Sequence, residues 1–280
     1  MKKVAVLTDS TSPEFFFPRW QRYYGNLFGF ENLHVLVYKG DTSKFAQTMV
    51  KNITELDTNY NDRLRSEKIS DVVAELLRSY NVVIRCDVDE FIVPGITIGL
   101  NLAEYVERNE LSHVTARGIN VVELDDESAL SSEDSIISQR KYGFRSSPMN
   151  KTCLVSEPVR WAQGFHGASV APRFAGLYNF HLRYADLKGR IAWHKAMLDG
   201  LTAGSTEYNY FLPGAEALTN LQGNLQQFSK IETETEAEFD TRFLNTVWHN
   251  VAHNIHQGDF FDQKFLVQLS SIVAPEIAKF

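Results

Sequence analysis

The first third of this chain alternates between buried-strand and helix patterns, and that alternation restricts the fold more than any other feature. Val4-Ala5-Val6-Leu7, residues 33–38 and Val82-Val83-Ile84 are nearly continuous apolar runs. Such runs suit parallel strands whose two faces are both covered by helices. Between the first two lies a helical segment opening near Pro13, carrying Phe16, Phe17, Trp20, Tyr23, Tyr24 and Leu27, and closing near Gly29. A second helix is predicted over residues 66–80. There Ile69, Val72, Val73, Leu76, Leu77 and Tyr80 repeat at the spacing of one buried helical face. Strand, helix, strand, helix, strand predicts an α/β fold with a mostly parallel, mixed sheet flanked by helices.

After Pro94 the pattern is mixed. A short helix is expected at 102–108, then a strand at 114–122 and an acidic loop at 123–133. Strand-like pieces follow at 135–139, 152–156 and 177–183. Beyond Tyr184 the chain reads as helical, with segments at 191–201, 215–228 and 239–256 and an acidic connector at 232–240. The expected organisation is a core over 1–184 and a helical C-terminal extension over 185–280 packed on it. On the last predicted helix His249, His253 and His256 fall at i, i+4 and i+7, opposite Leu244, Val247, Trp248, Val251 and Ile255, so they read as a solvent-facing row.

With 280 residues, 44% apolar and 22% charged, the chain can bury a sizeable core. Its net charge of −7 argues against nucleic acid or an anionic membrane as the main partner. Cys86 and Cys153 have no C-x-x-C spacing, so no disulfide framework or zinc knuckle is expected. No apolar run approaches the roughly 18 residues of a membrane span. The leading Met1-Lys2-Lys3 runs straight into strand-like sequence, unlike a signal peptide. A cytoplasmic protein with no transmembrane segment is expected.

The segment richest in chemistry is Val82-Val83-Ile84-Arg85-Cys86-Asp87-Val88-Asp89-Glu90-Phe91. On an extended backbone Asp87 and Asp89 point to one side, with Cys86 and Val88 on the other. They stand at the carboxyl end of a buried strand, where open α/β sheets place their ligands. Two close carboxylates repel unless a cation lies between them, and hard oxygen ligands suit Mn²⁺ or Mg²⁺, which complete their shells with phosphates and water. The pattern predicts a metal–phosphate site. By the same topology, Thr8 and Asp9 at the end of the first strand are placed for nucleoside contact, and Arg65 and Lys151 are candidates for a diphosphate.

Asp87-Val88-Asp89-Glu90-Phe91, followed by Ile92-Val93-Pro94, resembles the D-x-D-E-F segment of family-2-like glycosyltransferases with the GT-A fold. The stretch from Pro13 to Tyr24, ending at Phe28-Gly29, is similar to the helix after that group's nucleotide-binding first strand. Lys151-Thr152-Cys153-Leu154-Val155, Gly164-Phe165-His166 and Phe180-His181-Leu182-Arg183-Tyr184 are similar to its later lysine and paired-histidine region. The first loop, Thr8-Asp9-Ser10-Thr11, departs from the usual Asn-Glu pair. The resemblance implies transfer of a sugar from a nucleoside-diphosphate donor, UDP- or GDP-linked, to a hydroxyl of a glycan or other acceptor, as in surface polysaccharide synthesis. It implies Mn²⁺ or Mg²⁺ held by Asp89, with Asp87 on the metal or the donor ribose and His181 as a further ligand. His166, Glu157 and Asp126, in that order, are candidates for a base at the acceptor.

Two other readings compete. A haloacid-dehalogenase-type phosphatase also uses a strand-end D-x-D, and Gly258-Asp259-Phe260-Phe261-Asp262 superficially resembles its late acidic motif. A non-catalytic nucleotide-sugar-binding module would keep the fold without turnover.

Overall fold

The computed structural model describes residues 1–58, 62–132, 134–231, 249–251, 255–257 and 264–280. β1 (Val4–Ser10) is buried throughout. α1 (Phe17–Phe28) buries Phe17, Trp20, Tyr23 and Tyr24 and carries Pro18 in its first turn, starting four residues after the expected Pro13. The chain turns just before it at Phe15, whose φ of 60° lies in the left-handed region. Gly29, at φ 88°, closes the helix in a conformation open to glycine.

β2 (Leu33–Val37) and β3 (Asn52–Glu55) continue the sheet on one side of β1, all parallel. After α2 (Asp62–Leu76), β4 (Val82–Arg85) lies parallel on the other side of β1. β5 (Glu90–Pro94) follows the Asp87–Asp89 turn, and α3 (Leu102–Arg108) is opened by an Asn101/Glu104 capping box. β6 (His113–Val122), the helical turn α4 (Ile136–Gln139), β7 (Tyr142–Arg145) and β8 (Lys151–Val155) come next. β8 joins antiparallel to both β4 and β6, and β7 is antiparallel to β6. β9 (Gly167–Ala168) is short, whereas β10 (Phe174–Tyr184) runs parallel to β6 and antiparallel to β5. The remaining elements are α5 (Leu187–Asp199), α6 (Thr206–Leu225), β11 (Ser229–Ile231), β12 (His249–Val251), β13 (Ile255–Gln257) and β14 (Phe265–Gln268). Among the described residues this gives an 11-stranded mixed sheet, with β9, β12 and β13 in a second, small one.

Strand alternation divides the core. Val4 and Val6 pack with α1, while Ala5 and Leu7 pack with Ile69 and Val73 of α2, so helices cover both faces of the parallel half. Leu187, Ile191, Leu218 and Leu225 of α5 and α6 pack on Val122, Phe144 and Leu266. The expected α/β architecture with a mixed sheet and flanking helices is therefore present.

Three sequence expectations differ from the structure. Residues 135–139 form the turn α4 and not a strand; Ile136 and Ile137 are both buried, so adjacent apolar residues need no alternation. The C-terminal third is not only helical, because β11 and β14 pair with each other and β14 adds to β7 of the main sheet. Where a helix was expected over 239–256, residues 249–251 and 255–257 form the antiparallel pair β12–β13, docked on β9. β11 pairs with β14 and β13 with β9 across long stretches of sequence, which a period count cannot register. His249 and His256 consequently do not share a helix, while His253, the connector at 232–240 and Gly258–Asp262 lie outside the described residues.

Candidate functional site

The carboxyl ends of β1 and β4 open onto a cleft of about 650 Å³. Asp9, Asp87, Asp89, Lys151, His166 and His181 all line it, as does Arg65. Seven of the residues singled out from sequence are thus gathered from β1, α2, the β4–β5 turn, β8, the loop before β9, and β10.

The floor of the cleft is a network of buried charge. Asp9 Oδ2 accepts from Arg65 Nε at 2.6 Å and from the Tyr38 hydroxyl at 2.7 Å, and Asp9 Oδ1 accepts from Arg65 Nη2 at 2.8 Å. Asp87 Oδ1 accepts from Arg85 Nη2 at 2.5 Å and also from Arg65, while Asp87 Oδ2 accepts from Lys151 Nζ at 2.9 Å. Lys151 also reaches Glu90 Oε1 at 2.5 Å. Burial opposes ionisation of Asp87, but Arg85, Lys151 and Arg65 together hold its carboxyl well below the usual range. Burial likewise works against the charge on Lys151, yet Asp87 and Glu90 keep its ammonium above the ordinary value. Phe165 forms a shelf beside this network: the Arg85 guanidinium carbon lies 3.2 Å from its ring centroid and that of Arg65 4.7 Å. Phe165 holds its place with φ 61°, directly after Gly164 at φ 69°, two successive left-handed residues at the cleft wall.

Asp87 and Asp89 do not sit on an extended strand. Residues 87–90 form a turn in which Glu90 N donates to Asp87 O at 3.0 Å and Asp87 N donates to Glu90 Oε2 at 3.0 Å. Val88 therefore lines the cleft beside the two aspartates instead of facing away. Glu90 acts as an internal clamp of this turn, and Phe91 is core, stacked on Phe280 at 4.6 Å.

Asp89 has a different environment from Asp87. Its carbonyl accepts from Leu182 N of β10 at 2.8 Å, which places its side chain beside His181. His181 Nε2 lies 3.4 Å from Asp89 Oδ2. The other ring nitrogen, Nδ1, donates to Asn120 Oδ1 at 2.6 Å, because β10 pairs His181 with Asn120 of β6. That hydrogen bond turns the Nε2 lone pair toward a carboxylate. Two lone-pair donors at this separation require a proton on Nε2 or a cation between them. Burial raises the Asp89 pKa and His181 lowers it; the net direction is down.

His166 Nδ1 is 2.6 Å from Pro148 O, an acceptor only, so Nδ1 carries the proton and Nε2 is the basic nitrogen. Burial and the nearby Lys151 lower its pKa below the ordinary histidine value, keeping the ring neutral at pH 7.

The structure does not bring every expected residue to the cleft. Thr8 is fully buried in β1 and its neighbour Asp9 takes the position facing the cleft, as alternation demands. Glu157 follows β8, which is antiparallel to β4, and is therefore exposed at the opposite end of the sheet from Asp87. Asp126 is an exposed turn residue beyond β6 and lines no part of the cleft. Conversely, Tyr38, Arg85, Glu90, Arg183 and Arg190 belong to the site or its floor and were not expected there. Arg183 shares the side of β10 used by His181, a period-two signal legible once the strand is placed; Arg190 in the first turn of α5 carries no such signal.

No family model matches the chain, and no curated protein matches it. Among the described residues no helix is long and apolar enough to cross a membrane.

Proposed function

We propose that this protein is a metal-dependent glycosyltransferase of the GT-A kind, moving a sugar from a nucleoside-diphosphate donor to a hydroxyl acceptor. The observation that carries the reading is the Asp89–His181 pair, two ligand-type atoms facing each other at the carboxyl end of a parallel β/α half, in a cleft with cationic walls. Parallel β1–β4 followed by antiparallel β8 and β6 is compatible with that fold.

The donor set suits Mn²⁺ or Mg²⁺: one carboxylate and one imidazole, with Nδ1 of the latter anchored by Asn120. Among the described residues no group of three or more His, Cys, Asp or Glu converges to hold a metal. Asp89 and His181 would therefore share the ion with the donor's phosphates and water, as such ions commonly do. Asp87 fits less well as a ligand, since Arg65, Arg85 and Lys151 already occupy its oxygens. When bound, the ion supplies Lewis-acid neutralisation of the leaving diphosphate. Lys151 adds a fixed positive charge beside that position, Asp9 and Tyr38 line the nucleoside end, and neutral His166 serves as the candidate base for the acceptor hydroxyl.

Thermal melting with UDP or GDP, with and without Mn²⁺, tests this reading. A clearly larger stabilisation with metal than with chelator is expected. Equal stabilisation in both would remove the metal from the proposal. No turnover of any UDP- or GDP-sugar across a panel of hydroxyl acceptors would leave a binding module.

A further inference from the structure

Two arginines at the α5 end of the cleft have no work in the network described above. Neighbouring contacts run from Asp9 through Arg65 to Asp87, and from Asp89 to His181, so the cleft has a β1 end and an α5 end. Arg183, exposed on β10, and Arg190, half-buried in the first turn of α5, both line the latter. Neither side chain makes a hydrogen bond or ion pair among the described residues, and the Nε of Arg190 is buried without an acceptor. Elsewhere in the cleft the cations Arg65, Arg85 and Lys151 each have carboxylate partners. A guanidinium Nε–H sealed from water and left unpaired is costly, and a second guanidinium beside it adds like-charge repulsion. Burial and Arg183 both lower the pKa of Arg190, while Asp89 opposes them.

We propose that Arg183 and Arg190 form an oxyanion subsite, which takes a phosphoryl or carboxylate group of the substrate at the α5 end of the cleft. Planar guanidinium forks match such oxygens, and the ligand would supply the acceptor that Arg190 Nε lacks and the contacting anion that neither side chain has among the described residues. The subsite deepens the proposed function by making the substrate anionic at a second point. Trp193, half-exposed three residues further along α5, lies on the same helical side as Arg190 and offers a flat apolar surface for a ring carrying that group.

Binding of inorganic phosphate to the wild type and to Arg183→Gln and Arg190→Gln, measured by calorimetry without metal, tests the subsite. Phosphate affinity is expected to fall about tenfold or more in Arg190→Gln. Arg190→Lys keeps the charge but loses the fork, and should fall by less. The unliganded variants should melt no lower than wild type, because each relieves the repulsion. No measurable phosphate binding to the wild type, or equal binding by all four proteins, overturns the proposal. The source of the oxyanion is read with further probes. If UDP binding with Mn²⁺ weakens in parallel, the group is the donor's diphosphate. If UDP is held unchanged while glucuronate or glucose 6-phosphate is lost, it is an acid group elsewhere on the substrate. The phosphate arm needs neither metal nor turnover, so the subsite and the glycosyltransferase reading can fail separately.

Discussion

The two aspartates of the D-x-D triplet look equivalent in sequence, yet their surroundings assign them opposite behaviour. Asp87 is the common anion of Arg65, Arg85 and Lys151, so Asp87→Asn strands positive charge in the floor and should cost roughly 3–5 kcal/mol of stability in a denaturant melt. Among the described residues Asp89 is ion-paired with His181 alone, and Asp89→Asn should cost less stability than Asp87→Asn while abolishing metal-enhanced nucleotide binding and transfer. A stable, active Asp89→Asn would end the metal assignment. The histidines separate in the same way. His181→Ala should weaken metal-dependent nucleotide binding, with partial rescue by excess Mn²⁺. His166→Ala should leave donor binding intact and slow transfer about 10²–10⁴-fold. Because the His166 pKa is lowered, its basic form persists as pH falls, and the acid limb of kcat/KM should lie below pH 6.5. A limb above that value, or one unchanged in His166→Ala, would free His166 from the role. The carboxylates were legible in sequence because the D-x-D follows a buried apolar strand and runs on into Glu90-Phe91. Arg183 and Arg190 were not, since an arginine on a strand end or in a first helical turn reads as solvated charge until a cavity is seen beside it.

At the scale of elements, β10 is what joins the two walls of the cleft. It places Phe180 against Phe91 and His181 against Glu90 on one side, and His181 against Asn120 on the other. A slip of one residue would replace His181 by a leucine or phenylalanine and send the imidazole to the opposite face. The loop before β9 is the second positioning element, because Phe165 carries the guanidinium of Arg85 on its ring. Phe165→Ala should lower stability by about 3–5 kcal/mol and weaken nucleotide binding through loss of that shelf. Wild-type melting and affinity would show the shelf to be dispensable. β1, β2, β4, α1 and α2 were readable because their apolar periods are strong and local. β5 was hidden inside the motif itself, where Glu90 reads as chemistry and turns out to be a clamp. β11, β12, β13 and β14 are three or four residues long, too short for a period to show, and β11, β13 and β14 take partners far away in sequence.

At the scale of the whole molecule, the cleft also sets an acid limit. Asp87 and Asp89 have folded pKa values below their unfolded ones, so their contribution is fully present above about pH 4 and is lost as pH falls through the folded values. Lys151, raised in the fold, loses its contribution only when pH climbs past its own elevated value, well into the alkaline range. These three groups should therefore leave the melting temperature flat from about pH 6 to 9 and depress it below about pH 4. Asp87→Asn should make that acid slope shallower; an unaltered slope would place the acid sensitivity elsewhere. The floor of the cleft pairs Asp9, Asp87 and Glu90 with Arg65, Arg85 and Lys151, and no one of the six can lose its charge without taking a partner from another. Across diverging relatives those six positions should consequently drift together or stand still, while Arg183 and Arg190, which answer to a ligand and not to each other, remain at liberty to follow whatever substrate each lineage adopts.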